Sequence, residues 1–346
     1  NSENFMTIPY AERIVMKMRN RYALAIDGDM TDTGRFSPLY QPNNEGASIW
    51  VKPYTTFENV PLRNGPKVDN ISYGTLIGFD TEMETLNNGF DRVWTGYIGY
   101  NGASQSYSGT DSVQNGGLIG STYTLYKDNF FNATTLSVGA SVSENKNMYG
   151  SEDLTMLLGG IGNKTGYNIE FKDGRIILQP SMFVSYTFVK TFDYTNAAGV
   201  SIENKPTHSI QLIPGMKLIG NPKHGWQPYV GVSMVWNLMG KNDTTANGIK
   251  LPEMCIKPYV QYGVGIQKRF EDNFMAFGQA MIQNGGRNGI SLTGGMRWAI
   301  GGEKENNNNE KVENKKDTNI LKELTDEQKA EIEEKEKKRK LKKAMK

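Results

Sequence analysis

Twelve β-rich segments follow one another between residues 47 and 300, and the connections between them are alternately long and short. The segments are ASIWVKPYTTF (47–57), NISYGTLIGFDTEM (70–83), FDRVWTGYIGYNG (90–102), VQNGGLIGSTYTLYK (113–127), FFNATTLSVGASV (130–142) and MLLGGIGNKTGYNIEF (156–171). They continue with RIILQPSMFVSYTFV (175–189), THSIQLIPGMKLIG (207–220), HGWQPYVGVSMVWNL (224–238), EMCIKPYVQYGVGIQKRF (253–270), NFMAFGQAMIQ (273–283) and a last segment, NGISLTGGMRWAI, ending at Ile300. Long stretches such as ENVPLRNGPKVD, residues 103–112, SENKNMYGSEDLT, KTFDYTNAAGVSIENKP and MGKNDTTANGIKLP alternate with the short ETLNNG, DN, KDG, NPKH and ED. An up-and-down sheet that crosses a membrane has short turns on one side and longer loops on the other, whereas a soluble sandwich has no reason to alternate. The pattern predicts an all-β chain, a 12-stranded antiparallel transmembrane β-barrel.

The last segment sets the faces. Read with period two, Ile290, Leu292, Met296, Trp298 and Ile300 share one side of a strand, and Ser291, Thr293, Gly295, Arg297 and Ala299 the other. Thr293, Gly295, Trp298 and Ile300 fit the closing-strand assembly signal of outer-membrane barrels: a polar residue, a glycine two on, then two aromatic or apolar residues spaced by two. Residues 175–189 alternate likewise, with Ile176, Leu178, Met182, Val184, Tyr186 and Phe188 opposed to Gln179, Ser181, Ser185 and Thr187. Trp226, Trp236, Tyr186 and Phe188 fall near strand ends, where aromatic girdles meet lipid headgroups. Segments 47–57 and 273–283 alternate poorly.

Composition narrows the class. Mean hydropathy is -0.55, and no apolar run approaches the roughly 18–20 residues of a membrane helix, which excludes a helical membrane protein but not a barrel. With 39 basic and 37 acidic residues there is no global field pointing to nucleic acid. Cys255 stands alone, so no intrachain disulfide or thiolate metal site can form; its segment gives it a lumen-facing position and a packed-thiol role. No cofactor and no metal are expected. The chain starts at Asn1 without a signal peptide, so it reads as a piece of a larger precursor.

Two flanks differ from the barrel. In residues 1–46, a helix is predicted over about 8–26, with Tyr10, Ile14, Met18 and Tyr22 four apart and a second ladder of Arg13, Lys17 and Arg21. About 17 helical residues would span roughly 26 Å, near the hydrophobic height of a barrel, so this helix can thread a pore. Its basic ladder is either a solvated face or is held by lumen carboxylates, for which alternation nominates Asp80, Glu82 and Asp91. Residues 301–346 change abruptly to a polar, charged tail, disordered and then helical, with Thr325 and Gln328 as a capping box.

Other motifs dissolve on inspection. Asp32, Thr33 and Gly34 form the aspartic-protease triplet, but polar residues flank it and no second copy exists. Asp27, Asp29 and Thr31 begin like a calcium loop, yet Asp32 and Pro38 stand where Gly and Glu are required. His208 and His224 are the only imidazoles and lie at opposite strand ends, so a barrel hydrolase lacks a marked nucleophile–base pair.

Residues 47–300 resemble the C-terminal translocator domain of monomeric autotransporters, the type V secretion system. The likeness rests on SIWVKPYTTF, YGTLIGFDTEM, QPYVGVSMVW, IKPYVQYGVGIQKRF and GISLTGGMRWAI. It implies a barrel with the preceding helix in its pore, joining an exported N-terminal passenger at the cell surface to the outer membrane. It also implies dependence on the barrel-assembly machinery and periplasmic chaperones, contact with outer-membrane lipid, a monomeric state and a periplasmic tail. Members usually stop at the closing strand, whereas 46 residues follow Ile300 here. Asn20, the one Asn in the helix, lacks neighbours that would mark self-cleavage. The leading expectation is a non-catalytic translocator and anchor; the alternative is a stand-alone 12-stranded outer-membrane channel for small solutes.

Overall fold

The computed structural model describes residues 47–300 except 64, 173–174, 221–225, 240–243, 252–254 and 271–273; residues 1–46 and the tail lie outside the described residues. Every expected segment forms a strand. In chain order these are β1 Ala47–Pro61, β2 Lys67–Asp80, β3 Asp91–Tyr107, β4 Thr110–Lys127, β5 Phe130–Asn147 and β6 Gly150–Tyr167. They continue as β7 Ile176–Thr191, β8 Thr207–Gly220, β9 Trp226–Met239, β10 Tyr259–Phe270, β11 Phe274–Gly285 and β12 Asn288–Ile300. Each pairs antiparallel with its neighbours, and β12 returns to β1, from Ala47 opposite Ile300 to Asn59 opposite Asn288. The closed ladder leaves no sheet edge, the condition for a sheet to sit in hydrocarbon.

The wall is inverted relative to a soluble protein. Outward positions carry Ile98, Ile119, Leu136, Val138 and Val264, each more than half exposed, while Lys52 on the inner face is only 2% exposed. A contiguous exposed apolar band of this kind needs lipid around it. Aromatic side chains collect at both margins of the band. Trp94 meets Tyr123 at a tilt with ring centroids 4.8 Å apart, and Phe274 meets Trp298 likewise at 5.4 Å, at the end where β1 begins, called here the near end; Tyr73 and Tyr100 meet at 6.4 Å toward the far end.

The expected alternation of loop length takes a different form. Residues 103–112 and 143–155 are not loops: β3 and β4 run on to a two-residue turn at Ser108 and Gly109, and β5 and β6 to Met148 and Tyr149. Ser108 and Gly109 both have positive φ, 47° and 75°, the conformation of a tight hairpin turn. These strands of 17–18 residues exceed the roughly 9–11 that cross a bilayer, so their far ends stand clear of it. There the outward face turns polar, with Ser104, Ser106, Glu144 and Lys146, and the amphipathic signal fades although pairing continues.

Two far-end connections are long. Tyr194–Thr195 and Ser201–Asn204 from the β7–β8 connection pair with Thr244–Ala246 and Ile249–Lys250 from the β9–β10 connection, making a separate four-stranded sheet over buried Val200, Ile202 and Leu251. Cys255, expected on an inner strand face, instead lies exposed outside β10 and bridges to Arg63 in the β1–β2 connection. Pro258 follows it, and the β10 ladder starts only at Tyr259.

Candidate functional site

Alternation turns one face of all twelve strands into a lumen, and that face is polar. Buried Thr56, Ser72, Asn101, Gln114, Gln179, Gln261 and Gln283 line it. Hydrogen bonds link neighbouring strands along this face: the Tyr97 and Thr135 hydroxyls lie 2.8 Å apart, Gln114 Nε2 donates to Gln105 Oε1 at 2.9 Å, and Tyr229 Oη donates to Gln279 Oε1 at 2.8 Å. Lys164 and Lys217 line one hollow of this wall together with Ser181, Phe183, Gln279 and Met281.

Large rings also point inward, and they are accommodated by glycines on the next strand. Trp50 lies over Gly78, Tyr54 over Gly74, Tyr97 over Gly120, Phe131 over Gly166, Tyr229 over Gly265 and Phe277 over Gly295. At Gly295 an added Cβ would fall 2.0 Å from Phe277 Cε1, so the glycine of the closing signal is required by a ring from β11. Thr293 and Gly295 face the lumen, whereas Trp298 and Ile300 face outward at the near end.

The three nominated carboxylates separate. Asp80 is buried on the inner wall and accepts from Ser48 Oγ at 2.9 Å, Trp50 Nε1 at 3.2 Å and Thr95 Oγ1 at 2.6 Å, with Arg297 Nε 3.5 Å away. Glu82 is exposed in the β2–β3 connection, because β2 ends two residues before it. Asp91 opens β3 on the inner register and accepts from Thr85 Oγ1 at 2.6 Å. Arg13, Lys17 and Arg21 lie outside the described residues, as does His224. His208 faces outward, its Nδ1 2.7 Å from Tyr186 Oη. Among the described residues no group of three His, Cys, Asp or Glu can hold a metal ion.

The sequence reading missed two interior arginines. Arg287 Nη1 donates to Glu58 Oε1 at 2.6 Å with both side chains buried, and Asn70 Nδ2 donates to the same oxygen at 2.8 Å. Arg297 Nε donates to Ser48 Oγ at 2.7 Å. At the far end Glu152 accepts from the backbone N–H of Ala197 at 3.2 Å; burial pushes its carboxyl above the usual range, and the Ala197 bond offsets part of that rise.

Comparison with known proteins agrees with this geometry. The family described as Autotransporter beta-domain matches residues 49–281. The transport unit of the autotransporter AIDA-I from Escherichia coli superimposes with a TM-score of 0.65 at 13% identity, covering 85% of this chain and 99% of that one. The translocator domain of NalP from Neisseria meningitidis gives 0.65 at 13% over 84% and 97%, and the beta domain of the Bordetella autotransporter BrkA 0.61 at 15% over 74% and 100%. No curated protein matches the chain.

Proposed function

The chain belongs to the autotransporter β-domain family and so is an outer-membrane translocator for an N-terminal passenger, and we propose that residues 8–26 thread its lumen to connect the two. The observation that carries this reading is a closed wall whose inner face is both polar and buried, a surface suited to a polar chain segment and not to lipid. Short periplasmic turns are the rule in such barrels. The longest connections, those joining β7 to β8 and β9 to β10, are both at the far end, so that end faces outward and the near end is periplasmic. Residues 1–46 join the barrel at Ala47, on the near end, so a passenger at the cell surface has to reach them through the lumen.

Within the lumen, Asp80 and Asp91 belong to the near end of the β2–β3 side, and Lys164 and Lys217 lie on β6 and β8. On this proposal the basic edge Arg13–Lys17–Arg21 would face β2 and β3, with Asp91 as its partner and Asp80, already held by Ser48, Trp50, Thr95 and Arg297, beside it; exposed Glu82 is left out. The role is non-catalytic, the barrel is monomeric, the tail stays in the periplasm, and the assembly machinery and chaperones deliver the chain to the membrane. Planar-bilayer recordings test the pore segment: deleting residues 1–30 should raise single-channel conductance. A wide open pore that the deletion leaves unchanged would refute it.

A further inference from the structure

All ladders but one join strands consecutive in the chain, so a connection brings each pair together and sets its register. The β12–β1 seam has no connection, and its strands come from opposite ends of the barrel sequence. Something in the side chains must choose its register. A slip of one residue would turn the lumen face to lipid, so the competing registers differ by two residues, a shift of about 7 Å along the strand.

The outward face of β12 discriminates poorly between those registers, because Ile290, Leu292, Met296 and Trp298 offer an apolar side chain to lipid in most of them. The inner hydroxyls discriminate poorly too: Thr56 and Ser291 lie 3.1 Å apart, and after a two-residue slip Thr293 would take the place of Ser291. What remains are the arginines. Arg287 stands two residues before Gly289, the partner of Glu58, and Arg297 two residues before Ala299, the partner of Ser48. Ser48 and Glu58 on β1 are separated by the same interval as Arg297 on β12 and Arg287 just before it, so both arginines seat in the same register, and the slip that brings Leu292 opposite Phe57 carries both of them about 7 Å farther from these acceptors.

The acceptors are also held by residues of the first three strands, independently of the seam. Asp80 is held by Ser48, Trp50 and Thr95 within the first three strands, and Glu58 by Asn70 of β2. We propose that Arg287 and Arg297 are register keys: they enter these carboxylate sockets at the two ends of β1 and set the register in which β12 closes the barrel. A buried arginine left without its carboxylate is strongly destabilising, which gives the keys their discriminating power.

The test uses the full chain with Cys255→Ser and paired cysteines across the seam. Phe57 faces Ile290, so Phe57→Cys with Ile290→Cys reports the native register, and Phe57→Cys with Leu292→Cys reports the two-residue slip that carries both arginines away from their acceptors. With both arginines present, oxidation should link the native pair. Arg287→Glu should lower the ratio of native to slipped linkage by about tenfold or more, and Arg287→Glu with Arg297→Glu by more still. The swap Glu58→Arg with Arg287→Glu should restore the native linkage. Where a charge reversal prevents closure altogether, the swap still decides, because it must both close and link in the native register. Unchanged linkage in the reversals, or a swap no better than Arg287→Glu, would overturn the proposal.

Discussion

Two adjacent glycines in the closing strand should respond to the same substitution with opposite signs. Gly295 faces the lumen beneath Phe277, and an alanine there puts Cβ 2.0 Å from Cε1. Carbon atoms separate to about 3.5 Å, so the ring must retreat by about 1.5 Å or the strands must part. Overpacking of this kind costs about 1–3 kcal/mol, and replacing glycine inside a strand returns about 0.5–1 kcal/mol, leaving a net loss of up to roughly 2.5 kcal/mol. Gly294 faces outward, and an added Cβ meets nothing closer than the Phe277 carbonyl oxygen at 3.8 Å, an ordinary contact. Gly294→Ala should therefore gain about 0.5–1 kcal/mol. Urea titration of the refolded full chain in detergent micelles, followed by tryptophan fluorescence, measures both. Phe277→Ala should relieve Gly295→Ala, giving clear non-additivity in the double variant. Equal midpoints for the two alanine variants, or additivity with Phe277→Ala, would show that ring packing is not what requires Gly295.

Other regions make separate predictions. Burial raises the Glu152 carboxyl in the folded state, so its protonated form is favoured there; the stability is full below the unfolded value and is lost as pH rises through the raised folded value. Proteolytic nicking of residues 192–206 should accordingly increase with pH across the acid range, and Glu152→Gln should flatten that dependence; an unaltered profile would rule Glu152 out. On the outer face Asn132 and Asn163 exchange amide hydrogen bonds at 3.1 Å, with Thr134 and Thr165 completing the set. Asn163→Leu should cost about 1–3 kcal/mol by stranding Asn132, while Asn132→Leu with Asn163→Leu should be near neutral in the same titration; a double variant worse than the single contradicts this. Arg63 and Cys255 exchange both backbone hydrogen bonds, at 2.9 and 3.2 Å, which places their Cα atoms about 5.5 Å apart, within disulfide reach. Arg63→Cys should protect Cys255 from maleimide on oxidation; continued labelling would show that the two connections do not stay paired.

The strand count and the closing strand were legible because the bilayer writes a strong pattern: outward residues apolar, inward residues polar, turns at both margins. Chemistry and geometry part company in β1 and β11. Burial alternates without a break along β1, but Trp50 and Tyr54 point inward and Thr55 outward, so the segment reads as irregular. The inward rings are compensated by Gly78 and Gly74 on β2, a relation between strands that no single-strand period contains. β11 repeats this with Phe277 over Gly295. Arg287 and Arg297 were passed over for a related reason: a cation in a connection or on the wet face looks solvated until its partner is known, and the partners lie on strands from the other end of the sequence.

The polar stretches read as loops carry a further lesson about function. Beyond the bilayer both faces of β3–β6 meet polar surroundings, so composition no longer separates strand from loop, and only turn residues do. Ser108 and Gly109 mark such a turn, and a two-residue turn demands that the flanking segments pair up to it. The far end is therefore built unevenly, with rigid paired hairpins over β3–β6 and long connections over β7–β10 that form their own small sheet. A passenger leaving the lumen would meet paired hairpins on one side and that separate sheet on the other. Among the described residues, the β7–β8 connection that feeds the small sheet meets the barrel through Phe192 N–H to the Thr155 carbonyl at 3.1 Å and Ala197 N–H to Glu152 at 3.2 Å.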